Sequence, residues 1–453
     1  MRDQHKRPKL EVVEICAGAG GQSLGLHRAG FSHKLAVELD ANARTTLLEN
    51  VKRILVRAGS SEEAAQAEAE NIVRLGDVAD PDVWDPAEFE GVDLLAGGVP
   101  CPPFSVAGKQ LGANDERDLF AWAVELCGTV RPRALLLENV RGLSGSRFSA
   151  YRQHVLDRLH QHGYVGEWRL LEARDFGVPQ LRPRFVMVAL QTEYAEYFEW
   201  PEKSPTPAPT VGEALKGLMA SAKWEGVDAW VKRADGIAPT IVGGSKKHGG
   251  ADLGPTRAKE AWAKLGVDAM GVADAPPQRG STYDGLDAKG RPVPGPKLTT
   301  EMVARLQGWD DPDEWIFTGR KTTRYRQIGN AFPPPVAEAV GQRIASALRK
   351  EGGKRELVEK TAAIHDPVYL LLRDAKRGMT VEQITAKLAK KGSKLDQAEV
   401  ERRINHISHD FDIETKERPS GGATFRLRDF KAFIGQQNHA RHDQFAQNRA
   451  KIS

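Results

Sequence analysis

Residues 97 to 105 read GGVPCPPFS, which sets Cys101 between prolines directly after an apolar run. A thiol does chemistry when its pKa is lowered or when a reacting carbon is held against it in a dry pocket. Proline on each side stiffens the chain and aims the side chain. In isolation, such a cysteine reads more simply as a small core hydrophobe. Three further features share its setting. AGAGG (17 to 21) follows an apolar run, and its glycines let backbone approach a ligand closely. Glu38 and Asp77 end the next two apolar runs, where one carboxylate can accept from ribose hydroxyls and the other from an adenine amino group. Glu138, in ENV, ends a later run, where a buried carboxyl can keep its proton and donate as well as accept. Gly18, Gly20 and Gly21 do not space as GxGxxG, and no GK[ST] P-loop is present. An adenosyl ligand without a phosphate requirement fits this set, and S-adenosylmethionine fits it better than NAD. The simpler reading of the same residues is a tight turn and helix caps.

These residues need elements to hold them. EVVEI, KLAVELD, GVDLLAG, RALLLENV and RFVMVAL read as strands, alternating with helical patterns at GQSLGLHRAG, ANARTTLLEN, LFAWAVELCGTV and FSAYRQHVLDRLHQHGY. Such alternation predicts an α/β, Rossmann-like, doubly wound parallel sheet, with the chemistry at the carboxyl ends of its strands. The charged, alanine-rich stretch from Lys52 to Asn71 reads as an exposed helical insertion. Four prolines between Pro201 and Pro209 break the pattern, and Val211 to Pro296 reads as loop-dominated. Helices return at TTEMVARLQGWDD and after the proline run of NAFPPPVAEAVGQRIASALRK. Beyond residue 355, three helices (HDPVYLLLRDAKRG, TVEQITAKLAKKG, DQAEVERRINHISHD) and a hairpin (FDIETKERPSGGATFRLRDF) predict a winged-helix-like module. We expect a catalytic domain over 1–200, completed by 320–350, then a second domain over 201–319, the module over 355–435 and a disordered tail over 436–453.

The 453 residues are 40% hydrophobic and 28% charged, with no run long enough to span a bilayer and no leader pattern at MRDQHKRPKL. A cytoplasmic, soluble protein is expected, without membrane association. The only cysteines are Cys16, Cys101 and Cys127, too few and too scattered for a disulfide framework or a thiolate metal cage, so no metal is expected. Net charge is +4 and uneven: residues 351–453 hold 20 Lys+Arg against 15 Asp+Glu, leaving 45 against 46 before them. That asymmetry suits a polyanionic partner, and it suits solubility equally well.

The ordered series AGAGG, ELD, GDV, GGVPCPPFS, ENV, QLRPRF, LTTEMVARLQGWDD and QIGNAFPPPVA resembles the motif series of DNA (cytosine-5) methyltransferases of the bacterial restriction-modification type. The likeness runs from residue 10 to about 345, apart from the variable stretch near 201–295. PPF at 102–104 is similar to the NPPY motif of amino-methylating enzymes, but that motif carries no nucleophilic cysteine. The resemblance implies that Cys101 adds to carbon 6 of cytosine, that Glu138 holds nitrogen 3 and the amino group, and that Arg184 contacts the ring carbonyl. Arg182 then braces the site and Asn139 positions the catalytic loop. S-adenosylmethionine, with S-adenosylhomocysteine as product, is implied at Cys16, Ala17, Gly18, Gly20, Gly21, Glu38, Asp77, Val78, Pro100, Leu119 and Asn330.

The implied partner is double-stranded DNA with its target base flipped out. SVAGKQLGANDERD resembles the loop that closes on DNA, with Gly108 and Gly112 as hinges and Ser105, Lys109, Gln110 and Arg117 as contacts. The variable stretch corresponds to a target-recognition domain, in which Lys246, Lys247, His248 and Arg257 suit guanine edges and hence a GC-containing site. A paired restriction endonuclease, action as a monomer and nucleoid association are also implied. The sequence departs from the family pattern at Glu14, Ile15 and Cys16, where an acid, a leucine and a phenylalanine are usual, and at Phe332, where a smaller aliphatic is common. A transfer-RNA methylase of the same fold fits the long variable segment and C-terminal module less well, and an inactive DNA-binding regulator would not need the full catalytic set.

Overall fold

The structure, a computed structural model, describes residues 9–100, 117–243, 251–283, 294–311, 314–355, 365–419 and 421–430. Seven strands form one sheet: β1 (Leu10–Ile15), β2 (Phe31–Glu38), β3 (Val73–Leu75), β4 (Leu94–Gly97), β5 (Ala134–Val140), β6 (Tyr164–Glu172) and β7 (Pro183–Gln191), in the order β3-β2-β1-β4-β5-β7-β6. The first five are parallel, and β7 runs antiparallel between β5 and β6. The expected all-parallel sheet is therefore corrected at this end. Too little chain separates β6 from β7 for a helical crossover, so the pair closes as an antiparallel ribbon. Apolar content marks β7 as central but carries no direction. The sequence pattern also misses β6 itself, because this edge strand is mostly half-buried and keeps Glu167 and Arg169 on it.

Alternation along the strands divides the core between two faces. Val13, Ile15, Leu95, Leu135 and Leu137 pack with the helices Arg117–Glu125 and Ser149–Gln161. Val12, Leu94, Ala96 and Leu136 pack on the other side with the helices Gly21–Arg28 and Pro334–Leu348. The last two helices touch closely: a Cβ on Gly25 would stand 2.5 Å from the Ala337 Cβ, and one on Gly341 would stand 2.9 Å from the Ala29 Cβ. Residues 334–348 thus return to the first βα unit, as the motif order predicts.

Two other expectations change. The stretch from Lys52 to Asn71 is helical, but it belongs to the helices Ala41–Arg57 and Glu62–Ile72, and Ala65 and Ala69 are fully buried. Alanines at helical spacing give the second helix a narrow apolar face that its acidic residues hide in the sequence. The described residues of 211–296 are mostly irregular, as expected, but they hold a core the pattern does not show: helices Val211–Ala220, Val227–Arg233 and Thr256–Lys264 surround buried Trp224, Trp230 and Trp262. Glycine and proline punctuation conceals a small core anchored by indoles. The C-terminal module folds as its pattern predicts, with helices Pro367–Arg373, Val381–Lys390 and Gln397–Asp410 and a hairpin of β8 (Phe411–Glu417) and β9 (Ala423–Phe430). Among the described residues, no helix is long and apolar enough to cross a membrane. The expected tail over 436–453 lies outside the described residues.

Candidate active site

The turn after β1 is shaped by left-handed backbone at Cys16 (φ 52°), Gly18 (φ 59°) and Gly20 (φ 93°). It is pinned by an Ala17 N–H donating to the Val37 carbonyl at 3.1 Å and a Gly20 N–H donating to the Ala17 carbonyl at 3.2 Å. Glycine is required here for close approach. A Cβ on Gly20 would stand 2.2 Å from the Trp315 ring, and one on Gly21 would stand 2.4 Å from the Phe332 carbonyl oxygen. Among the described residues, nothing lies within 4 Å of the same position on Gly18, which leaves an open cradle at the turn. Glu38, at the end of β2, faces it: Oε2 accepts from the Gly18 N–H and Oε1 from the Asp40 N–H, both at 2.7 Å. Burial pushes the Glu38 carboxyl above its usual range, against the pull of those two N–H groups. Asp77 follows β3, and its Oδ1 accepts from the Ala79 N–H at 3.1 Å. Val78 is buried beside it, with its carbonyl accepting from Trp84 Nε1 at 2.7 Å. Leu119 is part of the core of the helix Arg117–Glu125, and Pro100 is half-buried. Asn330 ends the helix Lys321–Asn330 one residue before Ala331 meets Gly21, and its amide fills the space that a Cβ on Gly243 would need.

β4 joins this turn to a second set of side chains. A Cβ on Gly97 would stand 2.7 Å from Ile15, and one on Gly98 would lie 3.8 Å from the Cys16 carbonyl and 3.5 Å from Glu138 Oε2. Two consecutive glycines thereby bring the β1 turn and the end of β5 together. Glu138 pairs in register with Val186, which puts Arg184, two residues back along β7, diagonally across the same face. Arg184 Nε lies 2.5 Å from Glu138 Oε1, in an ion pair with both residues buried. Desolvation raises the Glu138 carboxyl above its usual range, and Arg184 and Arg182 oppose that rise. Arg182 is buried at 2% exposure, and its guanidinium donates to the carbonyls of Ile241 (2.6 Å), Gly329 (2.6 Å) and Ala331 (3.0 Å). It therefore ties β7 to the start of the variable region and to the returning C-terminal segment. Asn139 donates through Nδ2 to the Val99 carbonyl at 3.3 Å and accepts the Val140 N–H at 2.8 Å, linking β5 to the chain just before residue 101.

The structure thus brings Cys16 to Gly21, Glu38, Glu138, Asn139, Arg182, Arg184 and Asn330 to one edge of the sheet. Cys101, Ser105, Lys109, Gln110, Lys246, Lys247 and His248 lie outside the described residues, and of Arg117 only the backbone is described. Arg257 is exposed in the first turn of Thr256–Lys264, with no described contact to the Glu138 pair. Sequence reasoning passed over Gly98, Ile241 and Trp315, whose indole N–H donates to the Ala19 carbonyl at 3.0 Å. The second glycine of the GGVP motif and the lone tryptophan in DEWIF were the available signals for two of them. Among the described residues, no group of His, Cys, Asp or Glu is arranged to hold a metal ion.

A family model described as C-5 cytosine-specific DNA methylase matches residues 10–346. Type II methyltransferase M.NaeI of Lentzea aerocolonigenes is 60% identical over 444 residues, covering 98% of this chain and 99% of its own length. Type II methyltransferase M.NgoMIV of Neisseria gonorrhoeae is 46% identical over 342 residues, covering 75% of this chain and 98% of its own. Among solved structures, a Spodoptera frugiperda DNMT2 mutant aligns with TM-score 0.49 at 15% identity, covering 74% of this chain and 100% of its own.

Proposed function

The chain belongs to the C-5 cytosine-specific DNA methylase family and is a DNA (cytosine-5) methyltransferase, and from that premise we propose that it methylates a flipped-out cytosine through a covalent adduct on Cys101. The observation that supports this most is the buried Glu138–Arg184 pair, set beside Gly98 and the β1 turn, with Asn139 holding the chain at Val99. Carbon 5 of cytosine is a poor nucleophile. Addition of the Cys101 thiolate to carbon 6 turns the ring into an enamine, provided that nitrogen 3 takes a proton as charge develops there. Glu138, whose carboxyl is raised by burial, is suited to hold that proton, and Arg184 to bond the ring carbonyl. Arg182, spent on three carbonyls, keeps β7 in place. Once carbon 5 carries the methyl group, its proton leaves to water and the thiolate is expelled.

The open cradle at Gly18 and the half-buried acceptor at Glu38 fit S-adenosylmethionine. When bound, it supplies the activated methyl group. Glu38 would accept from the ribose hydroxyls, Asp77 from the adenine amino group, and Cys16, Ala17, Gly20, Gly21, Val78, Pro100, Leu119 and Asn330 would line the site. Ser105, Lys109, Gln110 and Arg117 would close on the DNA, and Lys246, Lys247 and Arg257 would read a GC-containing sequence. The likeness to two Type II methyltransferases supports a role in restriction-modification; pairing with an endonuclease and action as a cytoplasmic, nucleoid-associated monomer complete the proposal. Residues 201–319 would form the target-recognition domain.

A duplex carrying 5-fluorocytosine at its target tests the mechanism, because the adduct then cannot lose a proton from carbon 5. With S-adenosylmethionine present, the protein should run as a denaturant-stable DNA adduct, and Cys101→Ser should not. An adduct retained in Cys101→Ser overturns the assignment. Bisulfite sequencing of DNA from cells expressing the chain yields the recognition sequence, and a site without G or C neighbours overturns the GC assignment.

A further inference from the structure

The C-terminal module docks on the helix Ser149–Gln161, whose N-terminus is joined to the end of β5 only by the two short 3-10 turns Arg141–Ser144 and Ser146–Phe148. The docking is both apolar and polar. Phe430 lies 4.3 Å from the His154 ring and 5.9 Å from the Tyr151 ring, centroid to centroid, and Phe411 lies 5.3 Å from His154. Arg373 pairs with Asp157 at 2.5 Å, and the His365 N–H donates to Gln153 Oε1 at 3.2 Å.

One part of this contact reaches the site. Arg152, at 7% exposure, donates through Nη1 to the Leu143 carbonyl at 2.7 Å and the Gly145 carbonyl at 2.8 Å. Its guanidinium carbon lies 5.8 Å from the centroid of the Phe185 ring, and Phe185 pairs across the ladder with Asn139. Arg152 therefore fixes the turn that leaves β5 and touches the strand residue opposite Asn139. Its other partners come from the module. Nε donates to His365 Nδ1 at 3.5 Å, and His365 stays neutral because burial and Arg152 push its pKa down to about 4. Fully buried Asp366, next to His365 in the chain, is the nearby negative charge: its Oδ2 accepts from Ser149 Oγ at 2.6 Å and pairs directly with Arg403 at 3.3 Å, while Oδ1 caps the helix Pro367–Arg373. Desolvation lowers the Arg152 pKa to about 10, and Asp366 works against it.

We infer that the C-terminal module is a positioning device for the methyl-transfer site, in which His365, fixed beside the buried Asp366–Ser149 hydrogen bond, holds Arg152 and Arg152 holds the turn 141–145 behind Glu138 and Asn139. A buried guanidinium without a counter-charge repacks or draws in water, and the turn it holds moves with it. The inference rests on the proposed role of Glu138, since the turn matters to the rate only if Glu138 acts in the transfer. Displacement of a reacting group by a fraction of an ångström lowers the rate without weakening DNA binding.

The test uses the full chain with Asp366→Asn, Arg152→Lys, their double variant and Glu138→Gln, each read for kcat and for DNA KM on a methylatable duplex. Asp366→Asn keeps a cap on its helix and removes the charge. We expect kcat to fall about 10-fold with DNA KM within about 2-fold, and the double variant to fall no further than the weaker single variant, as coupled positions do. An unchanged kcat, or a DNA KM that rises with steeper salt dependence while kcat holds, overturns the inference; the second result makes the module a DNA contact. If Asp366→Asn does not fold, Ser149→Ala decides: it removes one hydrogen bond to Asp366 and should lower kcat about 3-fold, and an unchanged kcat overturns the inference. Full activity in Glu138→Gln would overturn the functional reading itself. Loss of activity in Glu138→Gln beside an unaffected Asp366→Asn overturns only the positioning role.

Discussion

At the ends of β1 and β2 the protein presents mainly backbone: a turn with three left-handed residues, one half-buried carboxylate held by two N–H groups, and open space among the described residues at Gly18. At the ends of β5 and β7 it presents side chains: a buried ion pair, an amide, and a guanidinium that donates to three carbonyls. Both regions lie on one sheet edge, joined through Gly97 and Gly98. The first is determined within a few residues of sequence and depends on what glycine leaves out. The second depends on partners from distant parts of the chain. Substitutions should therefore fail differently: by added bulk at the first, by lost partners at the second.

The largest effect is expected at Arg182. Arg182→Met leaves the carbonyls of Ile241 and Gly329 without their donor, while the Ala331 carbonyl keeps Gln307 Nε2 at 3.0 Å. Each of the two orphaned buried acceptors costs about 1–3 kcal/mol, and relief of a buried charge offsets part of the sum, so a loss of about 3 kcal/mol is expected by urea denaturation. Methyl transfer should fall with it, because the variable region and the 329–331 segment come loose together. A loss below about 1 kcal/mol would mean that packing alone holds these segments, and the contrast between the two regions would collapse.

Adding bulk to the turn comes next. Gly20→Ala places a methyl group 2.2 Å from the Trp315 ring at φ 93°. Overpacking and left-handed strain together should cost about 3 kcal/mol. Gly18→Ala has the same class of backbone (φ 59°) and, among the described residues, no neighbour within 4 Å, so only the strain remains, about 1 kcal/mol. The two variants separate contact from conformation, and equal losses would show that Trp315 yields freely.

Glu38 should affect cofactor affinity more than stability. Its carboxyl is raised by burial, so the folded state takes up a proton at a pH above the ordinary 4.5. A raised folded pKa contributes stability that is full below 4.5 and lost as pH climbs through the folded value. Acidification over that window thus favours the fold at this group while removing a ribose acceptor. S-adenosylmethionine affinity by calorimetry should fall as pH drops into the window, without unfolding, and Glu38→Gln should bind about 10-fold more weakly with little pH dependence. A wild-type affinity flat through the window would exclude Glu38 as the acceptor.

The same contrast explains what the sequence makes legible. Glu38 and Glu138 were readable because each stands at the end of an apolar run, where strand position and chemical role coincide, whereas the roles of Asn139 and Arg184 came from resemblance to a family. The assignment of Cys101 came from resemblance to a family and not from the residue itself. Arg152 and Asp366 were invisible: they stand far apart in sequence, and neither falls in a motif, since their meaning arises only where two cores meet. Direction was equally hidden in β7, because seven buried residues in a row look the same read either way. The tryptophan-centred core of 211–296 was masked by composition, since a few indoles outweigh many glycines once they are packed together.

The smallest effect sharpens the comparison at its periphery. Arg28, in the last turn of the helix Gly21–Arg28, pairs with Glu314 and lies 3.7 Å from Glu338, fastening the backbone-built region to the segment that carries Trp315. The Arg28 and Glu314 side chains are 21% and 28% exposed, so water and salt reach the pair. Such pairs contribute about 0.5–1 kcal/mol at low ionic strength and less at 1 M salt. Arg28→Ala should therefore cost no more than that, with the difference from wild type shrinking as salt is added. Trp315 keeps its hold on the Ala19 carbonyl and its place against Gly20, neither of which needs the charge. A salt-independent loss above about 2 kcal/mol would make Arg28 a structural partner like Arg182, and the turn after β1 would then depend on distant side chains as much as the end of β5 does.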